Sequence, residues 1–393
     1  MELSLPVISQ TPPPTEPPRA HLLGMDQAQL EQRLAERGEK KFRAAQILEW
    51  IYRRGESDFE AMSNLSKDLR TMLSREAAVF SSTITRESVA DDGTTKLLVE
   101  WPDRQSVEAV WIPANERNTA CISSQVGCPV GCRFCASGLD GVERNLTAGE
   151  IVEQAMQIRR RIHESLPPEE RGQRPAPAAR RESPSPRHLS ATGDRLSNIV
   201  MMGMGEPLAN YAAAIQAVKI LNAPWGMGIG ARKITLSTVG LPAQIRKLAE
   251  EGLQINLALS LHATDDQLRH ELIPWGKGVP IEDLLDACWY FFEKTGREVT
   301  FEYVLLAGVN DHPEHARLLA SMAKRVRANV NLLRYNPVAG TPYKRPSSEA
   351  AYDFQTLLRD RGVNVHMRTS RGMNADAACG QLRRKAMTGT SSE

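Results

Sequence analysis

The chain reads as an α/β protein, a parallel sheet of βα units that is either open and doubly wound or closed into part of a barrel. A small helical domain and a short β extension precede it. Three observations predict this. Apolar residues recur at helical spacing early in the chain, short β-rich runs follow, and from residue 148 strand-like and helix-like segments alternate. In such sheets the functional groups collect at the carboxyl ends of the strands. With 393 residues, 41% of them hydrophobic, the chain suits one large catalytic domain with an appended module.

Residues 1–21 are rich in Pro and Thr and read as a disordered leader, without the basic and apolar regions of a secretory signal. The helical domain covers 22–85, where Leu30, Leu34, Phe42, Ala45, Ile47, Leu48, Ile51 and Tyr52 are spaced for an apolar stripe. Residues 90–388 form the parallel domain with its β extension, which opens with strands over 95–100, 106–111 and 119–123. Helices are then expected over 148–163, 211–221, 243–251, 281–294 and 315–325. Strands are expected over 199–202, 233–237, 255–261, 298–305 and 329–333. Residues 166–197, rich in Pro, Arg, Ser and Ala, break the rhythm and read as a disordered insert.

A net charge of +2 does not demand a nucleic-acid partner. Basic residues do crowd 33–54, 159–161 and Arg383, Arg384 and Lys385, which suits phosphate contacts as well as solvated helix faces. No apolar run approaches the length of a membrane span, so no membrane partner and a reducing cytoplasm are expected. Six cysteines, three of them clustered, fit a metal or redox site there better than a disulfide scaffold. Cys288, beside Trp289 on an amphipathic stretch, reads as a buried inert thiol.

The clustered three are Cys128, Cys132 and Cys135, in the run Cys-Pro-Val-Gly-Cys-Arg-Phe-Cys. Thiolates this close in sequence converge on a metal or an iron-sulfur cluster, since Pro129 and Gly131 oppose a helical face of free cysteines. A cubane held by three thiolates keeps one iron free to chelate a small ligand, whereas zinc needs a fourth thiolate, for which Cys121 is available. Beyond the cysteines, Gly203-Met-Gly-Glu206-Pro is a glycine turn that lets a ligand approach the backbone and turns Glu206 toward a pocket. Ser237-Thr238, Ser260-Leu261-His262 and Asn336-Pro337 set small polar groups at the ends of later strands, a pattern suited to a nucleotide-like ligand. Taken alone, Cys379 reads as a buried thiol in a helix over 376–384, and Glu108 as an outward-facing strand residue.

The cysteine spacing resembles that of the radical S-adenosylmethionine superfamily. Five segments resemble its branch of dual-specificity ribosomal and transfer RNA adenine-C2 methyltransferases: Cys121-Ile-Ser-Ser-Gln-Val-Gly-Cys128, Val200-Met-Met-Gly-Met-Gly-Glu-Pro207, Leu236-Ser-Thr-Val-Gly240, Ser260-Leu-His-Ala263 and Asp376-Ala-Ala-Cys-Gly-Gln-Leu382. The resemblance runs from about 22 to 382, with 166–197 as a departure in length. It implies a partial (βα)6 barrel, with Cys128, Cys132 and Cys135 holding a [4Fe-4S] cluster. S-adenosylmethionine is expected on Gly205, Glu206, Ser237, Ser260, Leu261, His262 and Asn336.

The same likeness implies that Cys379 is transiently methylated, Cys121 resolves a covalent protein-RNA adduct through a transient disulfide, and Glu108 accepts a proton. Carbon 2 of adenine is too electron-poor to attack a sulfonium methyl directly, which is why a radical route is needed. Implied partners are 23S rRNA, tRNA and an electron donor such as flavodoxin or ferredoxin, with the protein a monomer. Methylation of adenine C8 by the same cysteines, and a non-catalytic zinc-stabilised RNA-binding protein, are the competing expectations.

Overall fold

The computed structural model describes residues 19–114, 117–167, 195–276 and 278–382. Strand β1 (Ala20–His21) leads into helices α1 (Gln27–Ala35), α2 (Phe42–Leu48) and α3 (Lys67–Glu76), and β2 (Ala77–Ala78) returns to pair in parallel with β1. The leader expected over 1–21 is therefore ordered at its end, and residues 1–18 lie outside the described residues. Helix α1 starts at a capping box in which Asp26 and Gln29 satisfy each other's backbone N–H. Most of the apolar stripe is buried as its spacing demands, but Phe42 is 52% exposed and Ala45 is exposed as well. The stripe runs through Ala44, Ile47, Leu48 and Ile51, a 3–4 repeat that puts positions 42 and 45 on the opposite face.

The β extension is an antiparallel meander of β3 (Thr83–Val89), β4 (Thr95–Glu100) and β5 (Ser106–Ala114), continued antiparallel by β6 (Arg117–Cys121). A separate ribbon of β7 (Gln125–Gly127) and β8 (Val142–Asn145) carries the cysteine loop between its strands. Alternation then proceeds through α4 (Ala148–Ser165), β9 (Leu196–Met201), α5 (Tyr211–Asn222), β10 (Ile234–Thr238) and α6 (Pro242–Ala249). It continues with β11 (Asn256–Ser260), α7 (Asp266–Leu272), α8 (Ile281–Thr295), β12 (Thr300–Leu305), α9 (Pro313–Arg325), β13 (Asn329–Arg334), α10 (Ser348–Arg359) and β14 (Val365–Arg368).

Strands β6 and β9 to β14 pair in parallel in sequence order, so six helical crossovers link neighbouring strands into the expected partial (βα)6 barrel. Fully buried Leu257, Leu259, Phe301, Tyr303, Val330 and Leu332 form part of the core. The helical segment is tied to α4 by Glu153, a fully buried carboxylate that accepts from Ser81 N (2.8 Å), Ser81 Oγ (2.9 Å) and Ser82 N (2.7 Å). No helix among the described residues is long and apolar enough to cross a membrane.

Two expectations are corrected. The insert over 166–197 is ordered at both margins, with Leu166 capping α4 and Leu196 opening β9; residues 168–194 lie outside the described residues. The helix expected over 376–384 does not form over its described residues, 376–382. Gly372 (φ 69°), Asp376 (φ 49°) and Gly380 (φ 84°) adopt left-handed backbone at four-residue intervals, which a right-handed helix cannot accommodate. Cys379 therefore sits on an irregular loop, and Arg383, Arg384 and Lys385 lie outside the described residues.

Candidate active site

The cysteine loop is shaped by backbone geometry. Cys128 N donates to Gly141 O (2.8 Å), and Cys135 N to Cys132 O (3.1 Å). Gly131 is left-handed (φ 65°), and a Cβ on Gly138 would stand 2.9 Å from Gly131 Cα, so the loop closes only over glycine. The three thiols border one cavity and oppose one another's ionisation. Burial pushes Cys128 up to about 12 and raises Cys132 and Cys135 too, while the Cys128 and Cys135 charges add to the rise at Cys132. Against that, the N–H groups of Val130 and Gly205 point at Cys128, and those of Ser137 and Gly138 at Cys135, all favouring thiolate.

Three converging thiols with thiolate-directed donors suit a positively charged cluster that displaces their protons. A single zinc ion instead requires thiolates roughly 3.8 Å apart, given its ~2.3 Å Zn–S bonds. Among the described residues no three His, Cys, Asp or Glu side chains stand close enough together to hold one metal ion. Cys121 is coupled electrostatically to Cys379 and Arg368 rather than to the loop cysteines, so the four-thiolate zinc arrangement is not assembled.

The cavity, about 180 Å³, lies at the carboxyl ends of the parallel strands. The wall includes Gly205, Glu206, Ser237, Ser260, His262 and Asn336, six of the seven residues expected to hold the methyl donor. Leu261 is the exception: its side chain is fully buried in the core, and its N–H donates to Glu302 O (3.1 Å). Gly205 (φ 102°) allows close approach, since a Cβ there would come within 2.7 Å of Ser124 Oγ. Glu206 accepts from Val239 N (2.7 Å) and Leu208 N (3.0 Å), yet burial outweighs these bonds and pushes its carboxyl up to about 7.

His262, in left-handed backbone (φ 59°), takes Val304 N–H on Nδ1 (3.0 Å). Burial, reinforced by the Arg269 charge, holds its pKa down at about 3, so the ring is neutral and this bond assigns its proton to Nε2. Asn310, absent from the sequence reading, fixes that turn from full burial by donating to His262 O (2.8 Å) and Val304 O (2.7 Å).

The expected catalytic residues fall in two layers. Cys379 borders the cavity; the residue is exposed overall, but the surrounding walls desolvate its thiol and raise its pKa. Its carbonyl accepts from Asn336 Nδ2 (3.1 Å), so Asn336 orients the Cys379 loop as well as lining the cavity. Cys121 lies behind, at the end of β6, buried and pushed up to about 12 by desolvation first and the Cys379 charge second. Glu108 does not face outward as its strand pattern suggests: it is 7% exposed and pairs with Lys96 Nζ (2.9 Å), which also donates to Asp376 O (3.0 Å).

Sequence reasoning missed Arg368 and Glu302. Both line the cavity, paired at 3.4 Å, and the Arg368 charge lowers the pKa of Cys379 and of Cys121. Arg368 lies on β14, for which the sequence pattern gives no strand, and Glu302, although on the expected strand β12, has no sequence signal linking it to an arginine 66 residues away. The basic crowding near 33–54 is partly internal: Arg37 pairs with Glu76 (2.9 Å), Arg54 with Glu49 (3.4 Å), and Arg53 donates to Pro224 O (3.2 Å).

Comparison with known proteins gives concordant matches. Residues 20–79 match the model of the ribosomal RNA large subunit methyltransferase N-terminal domain, and 186–320 that of the Radical SAM superfamily. The chain is 44% identical over 97% of its length to a "Probable dual-specificity RNA methyltransferase RlmN" of Rhodopirellula baltica, covering 96% of that protein. A protein of the same description from Geobacillus kaustophilus is 40% identical, with 98% of both chains covered. The crystal structure of a radical SAM methyltransferase from Sphaerobacter thermophilus superposes with a TM-score of 0.84 at 43% identity, covering 94% of this chain and all of that one. The chain thus belongs to the RlmN family of dual-specificity RNA methyltransferases, within the radical SAM superfamily.

Proposed function

We propose that this protein methylates carbon 2 of adenine in 23S rRNA and in tRNA, using a [4Fe-4S] cluster and S-adenosylmethionine. The observation that carries the reading is that Cys128, Cys132, Cys135 and Cys379 open on one cavity at the strand ends. When bound on Cys128, Cys132 and Cys135, the cluster supplies the electron that splits S-adenosylmethionine and opens radical chemistry at an otherwise unreactive carbon. Glu206 and the polar ends of Ser237, Ser260 and His262 bind the methyl donor, the His262 Nε2–H acting as a neutral hydrogen-bond donor.

Cys379 carries the methyl group to the base, held toward the cavity by the Asn336 bond to its carbonyl. Arg368 favours the thiolate of Cys379 when it takes up the methyl group, and that of Cys121 when it attacks the Cys379 sulfur to free the product. Glu108, on the strand behind, accepts the proton lost from the base. The adenine must leave its stack to reach this depth. We take the setting to be cytoplasmic, the protein a monomer, the electron donor a flavodoxin or ferredoxin, and 22–85 a helical module that contacts RNA.

The test is anaerobic incubation of the reconstituted protein with a 23S rRNA fragment, reductant and methyl-labelled S-adenosylmethionine. Mass spectrometry of the nucleosides against 2-methyl- and 8-methyladenosine standards reads the outcome. Label in 2-methyladenosine, lost in Cys379→Ala while cofactor cleavage persists, is expected. Label in 8-methyladenosine replaces the carbon assignment, and label retained in Cys379→Ala refutes the cysteine route.

A further inference from the structure

Arg269 is the largest fully buried side chain among the described residues, 1% exposed, and its charge is poorly compensated. Nη2 donates to Val239 O (2.5 Å), but Nε and Nη1 have no hydrogen-bond partner among the described residues, and no carboxylate there lies within ion-pair distance. Burial brings its pKa down to about 10, which leaves it protonated at neutral pH. The nearest carboxylate charge, Asp266 on the same helix, acts on it only from beyond ion-pair distance. A buried cation so weakly paired is unfavourable, and a fold that keeps one offers it a further compensating group.

Three features direct that group toward the cysteine loop. Arg269 is on α7, whose last residue, Leu272, accepts Arg133 N–H through its carbonyl (3.0 Å), docking the helix on the loop next to Cys132. Val239, Leu272 and Ile273 belong to one buried cluster, and Cys132 packs against it. Val239, whose carbonyl takes the Arg269 Nη2 bond, lines the cavity together with Cys128, Cys132 and Cys135. The surroundings are also shaped to the guanidinium, because a Cβ on Gly276 would stand 2.6 Å from Nη1.

We propose that Arg269 is a positioning residue for the redox step, the buried counter-charge of the iron-sulfur cluster that makes its one-electron reduction easier. This rests on the assignment of Cys128, Cys132 and Cys135 as cluster ligands. An oxidised cubane of charge 2+ on three thiolates carries a net charge of −1. Gaining one electron from an external one-electron donor takes it to −2, with no bond made or broken. A fixed cation close by stabilises the second state more than the first.

The experiment is an anaerobic redox titration of the reconstituted protein, with dithionite and mediators, followed by the electron paramagnetic resonance of the reduced cluster. Iron and sulfide are assayed in parallel. At the potential where the native cluster is half reduced, the reduced-to-oxidised ratio in Arg269→Gln is expected to fall about tenfold, a midpoint lower by about 59 mV for a one-electron couple. Arg269→Lys, which keeps the charge, is expected to stay within about threefold of native. Full iron and sulfide in Arg269→Gln with a native midpoint overturns the proposal alone, whereas native protein that binds no iron overturns the ligand assignment beneath it. If neither Arg269→Gln nor Arg269→Met yields loaded protein, Gly276→Ala decides, because its methyl displaces the head group while keeping its charge: a shifted midpoint supports the proposal and an unchanged one overturns it.

Discussion

Glu206 gives a sharp thermodynamic prediction. The carboxyl is 3% exposed at the cavity floor, and burial pushes it from the ordinary 4.5 up to about 7 despite two backbone N–H donors. A raised carboxyl holds its proton more tightly in the folded chain than in the unfolded one. Between pH 4.5 and 7 the unfolded state therefore releases a proton that the folded state keeps, and stability falls as pH rises. The contribution is fully present below 4.5 and gone above 7. At about 1.4 kcal/mol per pH unit, the span from 4.5 to 7 amounts to about 3–4 kcal/mol.

Glu206→Gln removes the titration. Its amide turns an N–H toward a backbone donor, a cost that is the same at every pH and cancels in the comparison. Urea unfolding of cluster-free protein, reduced and anaerobic, at pH 5 and pH 8 measures the effect. Native protein is expected to lose about 2–3 kcal/mol more than Glu206→Gln across that interval. Parallel pH profiles for the two proteins would refute the claim that desolvation dominates at this carboxyl.

Arg368→Gln should raise the thiol pKa of Cys379 and slow its alkylation by iodoacetamide at pH 8 roughly tenfold, while Glu302→Gln should speed it; peptide mass spectrometry reads both, and shifts in the same direction would contradict the charge assignment. Asn310→Ala strands the N–H of Leu306 and the carbonyls of His262 and Val304, so a loss of about 2–4 kcal/mol in chemical denaturation is expected. Gly205→Ala brings a Cβ to 2.7 Å from Ser124 Oγ in a left-handed conformation; isothermal titration of S-adenosylmethionine should show at least tenfold weaker binding, and native affinity would mean that the turn adapts.

The parallel strands and their crossover helices were legible because their pattern repeats: the expected strand over 329–333 and helix over 281–294 fall within a residue of β13 and α8. The cysteine loop was legible because its chemistry is local in sequence. What escaped depends on contacts distant along the chain. Glu108 reads as an outward strand residue because its partner is Lys96 on the neighbouring strand β4, and no alternation pattern reveals a cross-strand ammonium. Strand β14, and Arg368 with it, was hidden in a short segment of mixed polarity. The loop around Cys379 has a helical composition, but left-handed backbone at Gly372, Asp376 and Gly380, held by distant partners, overrules it.

Those partners explain how a thiol on an irregular loop is held in place for the methyl transfer proposed for it. Gly372 N donates to Asp92 Oδ2 (3.1 Å) and Lys96 Nζ to Asp376 O (3.0 Å), which anchors the loop to the β extension. Asn336 donates to Cys379 O (3.1 Å), which anchors it to the end of β13. Ala136 N donates to Gly380 O (2.7 Å) and Ser137 Oγ to Leu382 O (2.7 Å), both immediately after Cys135. The loop is thus bonded to the cysteine segment itself, and the two sulfur sites share one scaffold. Disturbing that segment disturbs the seat of Cys379 as well, whereas replacing the Cys379 side chain removes none of these five bonds, since the one at Cys379 uses its carbonyl. Under the proposed roles, loss of methyl transfer in a Cys128, Cys132 or Cys135 variant therefore reports on both sites at once, and the Cys379 variant is the one that separates carriage of the methyl group from generation of the radical.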